Sequence, residues 1–199
     1  LLCLGVLLGF APPLLECLGL DTCGVHLWGE SSNGKTTTAR IGASVWGNCT
    51  KGTNGNNRIV SWNATATGFE VQAALHSSSL LVLDEMGEAE KEHIITTIYA
   101  FSDSKGKTRG QADITLRASQ TWKLLACSTG EFNIKGHIGL TKNLPTGVLM
   151  RMLEIPVDTG DGCGALEGMT DKKDRIAFMT RLDADLRAHY GVACRPYLE

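Results

Sequence analysis

The residues with the clearest chemistry lie in the stretch from Gly29 to Thr36, which reads GESSNGKT. Gly29 and Gly34 allow the backbone to close around an anion, so that its N–H groups point at phosphate oxygens. Lys35 adds a mobile positive charge for the outer phosphates, and Thr36 adds a hydroxyl that can ligate Mg²⁺. The stretch therefore predicts a phosphate-binding loop of the GxxxxGK(S/T) type.

An apolar strand candidate precedes this loop and a helix-compatible segment follows it, which favours a nucleotide site over an ordinary Gly-Ser-Asn turn. The expected ligands are ATP and Mg²⁺. The predicted nucleotide-binding residues are Gly29, Glu30, Ser31, Ser32, Asn33, Gly34, Lys35, Thr36 and Thr37.

Two carboxylates, Asp84 and Glu85, follow four consecutive aliphatic residues at 80–83. Such a run is typical of a buried parallel strand, which would deliver both carboxylates at its C-terminal edge. Asp84 is expected in the Mg²⁺ shell, and Glu85 is expected to orient and deprotonate the water that attacks the γ-phosphate. A strand ending in an acidic turn is the plainer interpretation, but the position after the loop favours hydrolysis.

A second buried strand is predicted at 122–127, directly before Ser128 and Thr129. If it lies between the loop strand and the Asp84 strand, one of these two hydroxyls would face the γ-phosphate. Small hydroxyls at strand ends are common, so a purely structural role stays open.

Lys105, Lys107 and Arg109 form the strongest local group of basic residues. Alternating apolar and polar residues at 114–117 predict a β-hairpin beside them. The functional interpretation is a hairpin that binds the phosphate backbone of nucleic acid by charge rather than by base identity. The plainer interpretation, a solvated charged loop, is equally open.

Composition suits one globular domain with a sizeable core, since 43% of the 199 residues are hydrophobic and 20% are charged. The formal net charge of −2 excludes a global basic field for nucleic acid, so any such contact must come from a local patch. We predict a single P-loop ATPase domain over 1–199, with an N-terminal helix at 1–22, an ATPase core at 23–160 and a C-terminal helical segment at 161–199.

The elements that must position these residues alternate between strand and helix. Helices are predicted at 36–46, 67–76, 87–100 and 171–190, and strands at 25–28, 58–62, 80–83, 122–127 and 153–157. The predicted fold class is therefore α/β. Residues 1–20 are expected to form a buried helix that the adjacent prolines Pro12 and Pro13 interrupt.

The seven cysteines include no CxxC pair, so neither a zinc site nor a disulfide framework is predicted, and a cytoplasmic location is expected. The apolar stretch at 1–15 is too short for a membrane span, and no membrane contact is expected. Because the first residue is Leu rather than Met, we expect the chain to be part of a longer polypeptide.

Six segments, in chain order, resemble the domain of unknown function 927 (DUF927) family: GESSNGKTT, SWNATATGFE, LLVLDE, KGKTR, STGE and RMLEIP. That family belongs to the P-loop ATPases with an extra central strand and a catalytic glutamate. Its members occur in bacterial, phage and integrative-element proteins regarded as candidate helicases or primase-associated ATPases.

The resemblance implies a three-layer fold around a mostly parallel five-stranded sheet of order 5-1-4-3-2. That order would place Ser128 and Thr129 beside the γ-phosphate. In ring-forming relatives such as superfamily 3 helicases, an arginine before the last core strand reaches the neighbouring subunit's site, and Arg151 matches it. The resemblance thus implies a homo-oligomer, although an ordinary surface arginine stays open. The basic hairpin matches one that enters a central DNA channel.

The resulting hypothesis is an ATP-hydrolysing motor module that acts on single-stranded or duplex DNA. The alternative is a nucleotide-dependent switch or assembly ATPase that acts on protein partners without moving along DNA. A small-molecule kinase using the same loop is disfavoured, because Asp84 and Glu85 directly after the aliphatic strand indicate hydrolysis.

Overall fold

One parallel sheet forms the centre of the computed structural model, which describes residues 1–50, 57–106, 109–110, 116–117, 119–139, 146–158 and 160–199. Its five strands are β1 (Cys23–Trp28), β2 (Ile59–Ser61), β3 (Leu80–Asp84), β4 (Leu125–Gly130) and β5 (Met152–Pro156). They lie in the order β2-β3-β4-β1-β5, and every neighbouring pair is parallel. This order confirms the predicted 5-1-4-3-2 sheet, read from its opposite edge.

The helices are named in chain order. They are α1 (Leu2–Phe10), α2 (Pro12–Cys17), α3 (Lys35–Ser44), α4 (Ala66–Leu75), α5 (Lys91–Ser102), α6 (Ile134–Ile138), α7 (Thr146–Arg151), α8 (Lys172–Ala188) and α9 (Cys194–Leu198). Short 3-10 turns span Met86–Glu88 and Gly164–Leu166. Two short antiparallel strands, Arg109–Gly110 and Leu116–Arg117, pair outside the main sheet.

Helices cover both faces of the sheet, which explains why β3 and β4 are buried along their whole length. On one face, aromatic and aliphatic residues of α4 and α5, such as Phe69 and Phe101, pack with Leu81 and Leu83. On the other face, residues of α1, α3 and α8 pack with Leu80 and Val82. The result is the predicted three-layer α/β arrangement.

The boundaries of β4 differ from the prediction in a way that matters for the site. The strand begins at Leu125 and includes Ser128 and Thr129 rather than ending before them. Trp122 lies before the strand, where its indole N–H donates to the carbonyl of Phe101 at 2.8 Å. Because side chains alternate along a strand, Ser128 and Thr129 point to opposite faces of the sheet.

The N-terminal segment is interrupted at the prolines, as predicted, since α1 ends before Pro12 and α2 begins there. Its expected burial holds for one side only. Leu8 and Leu15 are buried, whereas Leu7 and Leu18 are 66% and 67% exposed. The expectation of a buried segment was therefore wrong for the outer side. No helix in the described part of the chain is both long and apolar enough to cross a membrane.

Helix α8 packs along α3 and brings the C-terminal segment to the sheet. Asp171 caps its first turn by accepting from the backbone N–H groups of Lys173 and Asp174. Leu186 is buried near its end, whereas Ile176 near its start is 57% exposed. The first turns of α8 therefore lie beyond the core, next to the loop that follows β1.

Candidate nucleotide-binding site

The loop between β1 and α3 adopts a backbone that requires glycine. Gly29 and Gly34 have φ values of 149° and 85°, which L side chains rarely adopt. A Cβ on Gly34 would also lie 2.6 Å from the Cβ of Ala165. Ser32 is left-handed as well, with φ of 65°. The loop is thus a tight turn at the carboxyl end of β1, with helix α3 starting at Lys35.

Lys35 lies inside this turn and is only 9% exposed. Its Nζ donates to the carbonyl oxygens of Gly29 at 2.8 Å and Glu30 at 2.6 Å. Burial lowers the pKa of its ammonium group, while the nearby Glu131 and Asp84 raise it. The loop therefore encloses a single positive charge at the start of α3, where the helix dipole also favours an anion.

Asp84 is the meeting point of the polar side chains and is 2% exposed. Its Oδ1 accepts from the hydroxyl of Thr36 at 3.0 Å and from the hydroxyl of Thr129 at 2.5 Å. Carboxylate and hydroxyl oxygens are the hard ligands that Mg²⁺ prefers. Since the loop threonine and the strand aspartate meet directly, the oxygen set at this edge of the sheet fits Mg²⁺.

Glu85 is the first residue after β3, and its backbone is left-handed, with φ of 61° and ψ of 63°. A residue other than glycine adopts this conformation at a cost of about 1–3 kcal/mol, and such strain clusters at functional sites. Its backbone N–H donates to the hydroxyl of Thr129 at 3.2 Å. The turn leaves the Glu85 side chain exposed, whereas its neighbour Asp84 is buried.

A pocket of about 640 Å³ opens over these groups. Its volume lies in the range of small-molecule sites. It brings together the loop, the end of β3, the end of β4 and helix α8. The lining residues are Ser31, Ser32, Asn33, Gly34, Lys35, Thr36, Thr37, Glu85, Gly87, Glu88, Thr129, Gly130, Glu131, Phe132, His137 and Met179.

Ser128 does not line this pocket and lies on the other face of β4, fully buried. Its hydroxyl accepts from the indole N–H of Trp62 at 2.9 Å and lies 2.9 Å from Nδ1 of His26. Nε2 of His26 lies 3.0 Å from the carbonyl oxygen of Phe132, which can only accept. The imidazole therefore donates through Nε2 and accepts from Ser128 through Nδ1. The structure thus separates the two hydroxyls, and only Thr129 reaches the pocket.

This buried chain of hydrogen bonds supports the pocket wall, because Phe132 lines the pocket. Burial lowers the pKa of His26 to about 4, so the imidazole is neutral at pH 7. We did not predict His26 or Trp62 as residues of the site. The available indication was a histidine in the middle of an otherwise apolar strand, at Val25-His26-Leu27.

Arg151 lies at the opposite edge of the sheet, as the last residue of α7 directly before β5. Its guanidinium donates to the carbonyl of Gly147 at 3.1 Å and lies 5.1 Å from the ring centroid of Tyr99. Arg151 is not among the described residues that line the 640 Å³ pocket. Within one chain, Arg151 is therefore not brought to the phosphate loop.

Lys105, the first residue of the basic group, lies near the amino edge of the sheet. Lys105 is exposed and forms an antiparallel bridge with Thr121. The adjacent Ser104 donates to the hydroxyl of Thr22, which precedes β1, at 2.8 Å. Arg109 lies in the short strand that pairs with Leu116–Arg117, as a hairpin requires, and Lys107 lies outside the described residues.

Comparison with known proteins identifies the family. A family model described as Domain of unknown function (DUF927) matches residues 1–121, which is more than half of the chain, and the chain belongs to this family. A solved structure named "SCCmec type IV Cch - active helicase" is similar with a TM-score of 0.65 and 23% sequence identity, over 98% of this chain and 33% of that chain. This likeness shows the fold, and the chain spans about a third of that protein's length. A search of curated proteins found no match.

Proposed function

We propose that this member of the DUF927 family is the ATP-hydrolysing motor module of a replication protein from a mobile element or phage, of the DNA helicase or translocase kind. The observation that supports this most is the convergence of Thr36 and Thr129 on one carboxylate oxygen of Asp84. Three chain segments meet there, beside the buried Lys35 and the exposed Glu85. Such a meeting of cation, hydroxyls and carboxylates is what nucleotide hydrolysis requires.

The loop residues 29–37 bind the phosphates of ATP through backbone N–H groups and the Lys35 ammonium group. Thr36 and Asp84 would hold Mg²⁺. When bound, Mg²⁺ neutralises charge on the phosphates and so stabilises the transition state. Lys35 adds a second positive charge at the same place, and its burial makes that charge more effective than it would be in water.

Glu85 orients the attacking water and accepts its proton. Thr129 contacts both the backbone of Glu85 and the carboxylate of Asp84. It is therefore the hydroxyl suited to respond to the γ-phosphate. Ser128, which we also considered for this role, acts from behind the pocket through His26.

Arg151 acts on the site of a neighbouring copy in a ring-like homo-oligomer. Its place at the amino edge, opposite its own phosphate loop, supports action between subunits rather than within one. An arginine supplied in this way neutralises charge in the transition state and speeds phosphoryl transfer by orders of magnitude.

Lys105, Lys107 and Arg109 contact the phosphate backbone of DNA, and hydrolysis moves this group along the strand. The exposure of Lys105 supports the contact. The similar solved structure is named an active helicase, which supports a nucleic acid as the substrate acted on. Binding of this kind depends steeply on salt, because each neutralised phosphate releases counterions.

A second candidate is a nucleotide-dependent switch or assembly ATPase that binds protein partners and does not move on DNA. Exposed leucines of α1, of α2 and directly after α2 favour a protein contact there: Leu7, Leu14 and Leu18.

Mg²⁺-dependent ATP hydrolysis by the full-length protein, with and without single-stranded DNA at low and stated salt, separates the two candidates. The motor predicts a several-fold faster turnover with DNA, and the added rate should disappear at high salt. A turnover rate that DNA leaves unchanged at low salt would contradict the motor and favour the switch.

A further inference from the structure

A second cavity, of about 470 Å³, lies on the other side of the phosphate loop. The segment that follows β5 and the first turns of α8 form most of its walls. The lining residues are Ser32, Asn33, Gly34, Gly162, Cys163, Ala165, Leu166, Lys172, Arg175, Ile176, Met179 and Thr180.

The two cavities adjoin at the phosphate loop. Ser32, Asn33, Gly34 and Met179 line both of them. Glu85, Thr129 and Glu131 line only the first, whereas Arg175 and Ile176 line only the second. A molecule held by the loop could therefore extend from the carboxylates at the sheet edge to the surface of α8.

The segment after β5 rests directly on the loop and forms one wall of the second cavity. The backbone N–H of Ala165 donates to the carbonyl oxygen of Asn33 at 2.8 Å. Gly164 has φ of 56°, and a Cβ on it would lie 2.6 Å from the same carbonyl oxygen. With Ala165 also filling the space above Gly34, this wall is packed against the loop without room for a side chain between them.

Helix α8 forms the other wall, and an ion pair fixes it on α3. Arg40 of α3 donates through Nη1 to Asp183 at 2.6 Å, and through Nε to the carbonyl oxygen of Cys49 at 3.0 Å. The Arg40 side chain is only 14% exposed, so this contact is shielded better than a surface pair. Met179 lies one turn before Asp183 on α8, which accounts for its place over the loop.

The walls of this cavity combine apolar surface, which suits a base, with the cations Lys172 and Arg175. Ala165, Leu166, Ile176 and Met179 supply apolar surface, and a methionine adapts its shape to a flat ring. The Arg175 guanidinium is held by its bonds to the carbonyl of Met169 at 3.3 Å and to Sγ of Cys163 at 3.1 Å. Mostly apolar walls with a few fixed polar groups are typical of small-molecule subsites.

We propose that the second cavity binds the nucleoside part of the nucleotide, and that Met179 contacts the nucleoside beside the loop. This inference rests on the proposed function. With the γ-phosphate beside Glu85 and Thr129, the nucleoside has to leave the loop on the other side, where the second cavity opens. Helix α8 thereby becomes part of the substrate site.

The test compares two probes on the full-length chain by calorimetry: Mg-ATP and Mg-tripolyphosphate, which has the phosphates without the nucleoside. Met179→Ala should raise the dissociation constant of ATP about tenfold, because it removes apolar contact. It should change that of tripolyphosphate by less than about twofold. Met179→Leu, which keeps the apolar volume, should restore ATP binding.

Met150→Ala is the matched control. Met150 is 80% exposed on α7 and is not among the described residues that line the two cavities. It should leave both dissociation constants unchanged. Equal weakening of both probes by Met179→Ala, or no weakening of ATP binding, would overturn the subsite while leaving the phosphate site in place. If the unaltered chain binds neither probe, the proposed nucleotide site fails first and the subsite fails with it.

Discussion

The two edges of the central sheet differ in how their polar residues are held. At the carboxyl edge, Thr36 and Thr129 both donate to Asp84, and Lys35 donates to its own loop. At the amino edge, Lys105 is exposed, and Arg151 contacts its own helix and Tyr99. Under the proposed function, the carboxyl edge of one chain supplies the groups that bind the nucleotide, and the amino edge acts on a partner outside the chain. Changes at the carboxyl edge should therefore abolish chemistry, and changes at the amino edge should alter its regulation.

The largest expected effect comes from Lys35→Ala. Hydrolysis should fall about a thousandfold, because the change removes the buried charge that we propose stabilises the outer phosphates. Steady-state phosphate release measures it. Lys135→Ala is the matched control, since Lys135 is an exposed lysine on α6. An equal loss in the control would mean that the assay reports general damage rather than the loop.

The next effect concerns the buried histidine behind the pocket. The pKa of His26 is about 4 in the native state, against an ordinary value of 6.5. Between these two pH values, the histidine is protonated in the unfolded chain and neutral in the native chain. The free energy of unfolding should therefore be highest above pH 6.5 and fall by about 3 kcal/mol as the pH drops to 4. Urea denaturation across this range measures the loss.

His76 is also buried with a lowered pKa, and it acts in the same direction. A variant is therefore needed to assign the change. In His26→Asn, the free energy of unfolding should lose most of its dependence on pH between 6.5 and 4. In His189→Asn it should keep that dependence, because His189 is exposed. Identical pH profiles for all three proteins would remove His26 from the account.

Arg151→Ala tests the amino edge and should slow hydrolysis about a hundredfold while ATP binding persists. If the arginine acts between subunits, mixing Arg151→Ala with Glu85→Gln subunits should restore part of the activity. Each defective copy would then supply the group that its neighbour lacks. If hydrolysis does not recover in the mixed oligomers, Arg151 does not act between subunits and its role is structural.

The smallest expected effect comes from changing Lys105, Lys107 and Arg109 to Ala together. The ratio of turnover with DNA to turnover without it should fall from several-fold to about one, because phosphate contacts depend on these charges. Lys135 and Lys173 provide a control pair, because both are exposed and neither is among the described residues that line the two cavities. A ratio that the triple change leaves intact would separate the hairpin from DNA binding.

The sheet order and the phosphate loop could be predicted, because the relevant patterns are local. A glycine loop between strand and helix, and an aliphatic run before Asp84 and Glu85, each lie within a few residues of chain. Their relative placement came from the resemblance to the family. The structure bears out that placement in the order of the strands.

The choice between Ser128 and Thr129 could not be predicted, because it depends on which face of β4 each side chain occupies. That face is set by the register, which pairs Ser128 with His26 and Thr129 with Leu27 of β1. Trp62 then completes the buried side from a distant part of the chain. The second cavity could not be predicted either, because it forms only where α8 packs beside the loop.

The central claim, that the carboxyl edge hydrolyses nucleotide through Glu85, is tested most directly by ATP turnover in Glu85→Gln beside Glu88→Gln. Both carboxylates line the pocket, but only Glu85 follows β3 in the strained turn. We predict that Glu85→Gln lowers turnover about a thousandfold while ATP still binds, and that Glu88→Gln stays within about threefold of the unaltered protein. Turnover that survives Glu85→Gln would contradict the account.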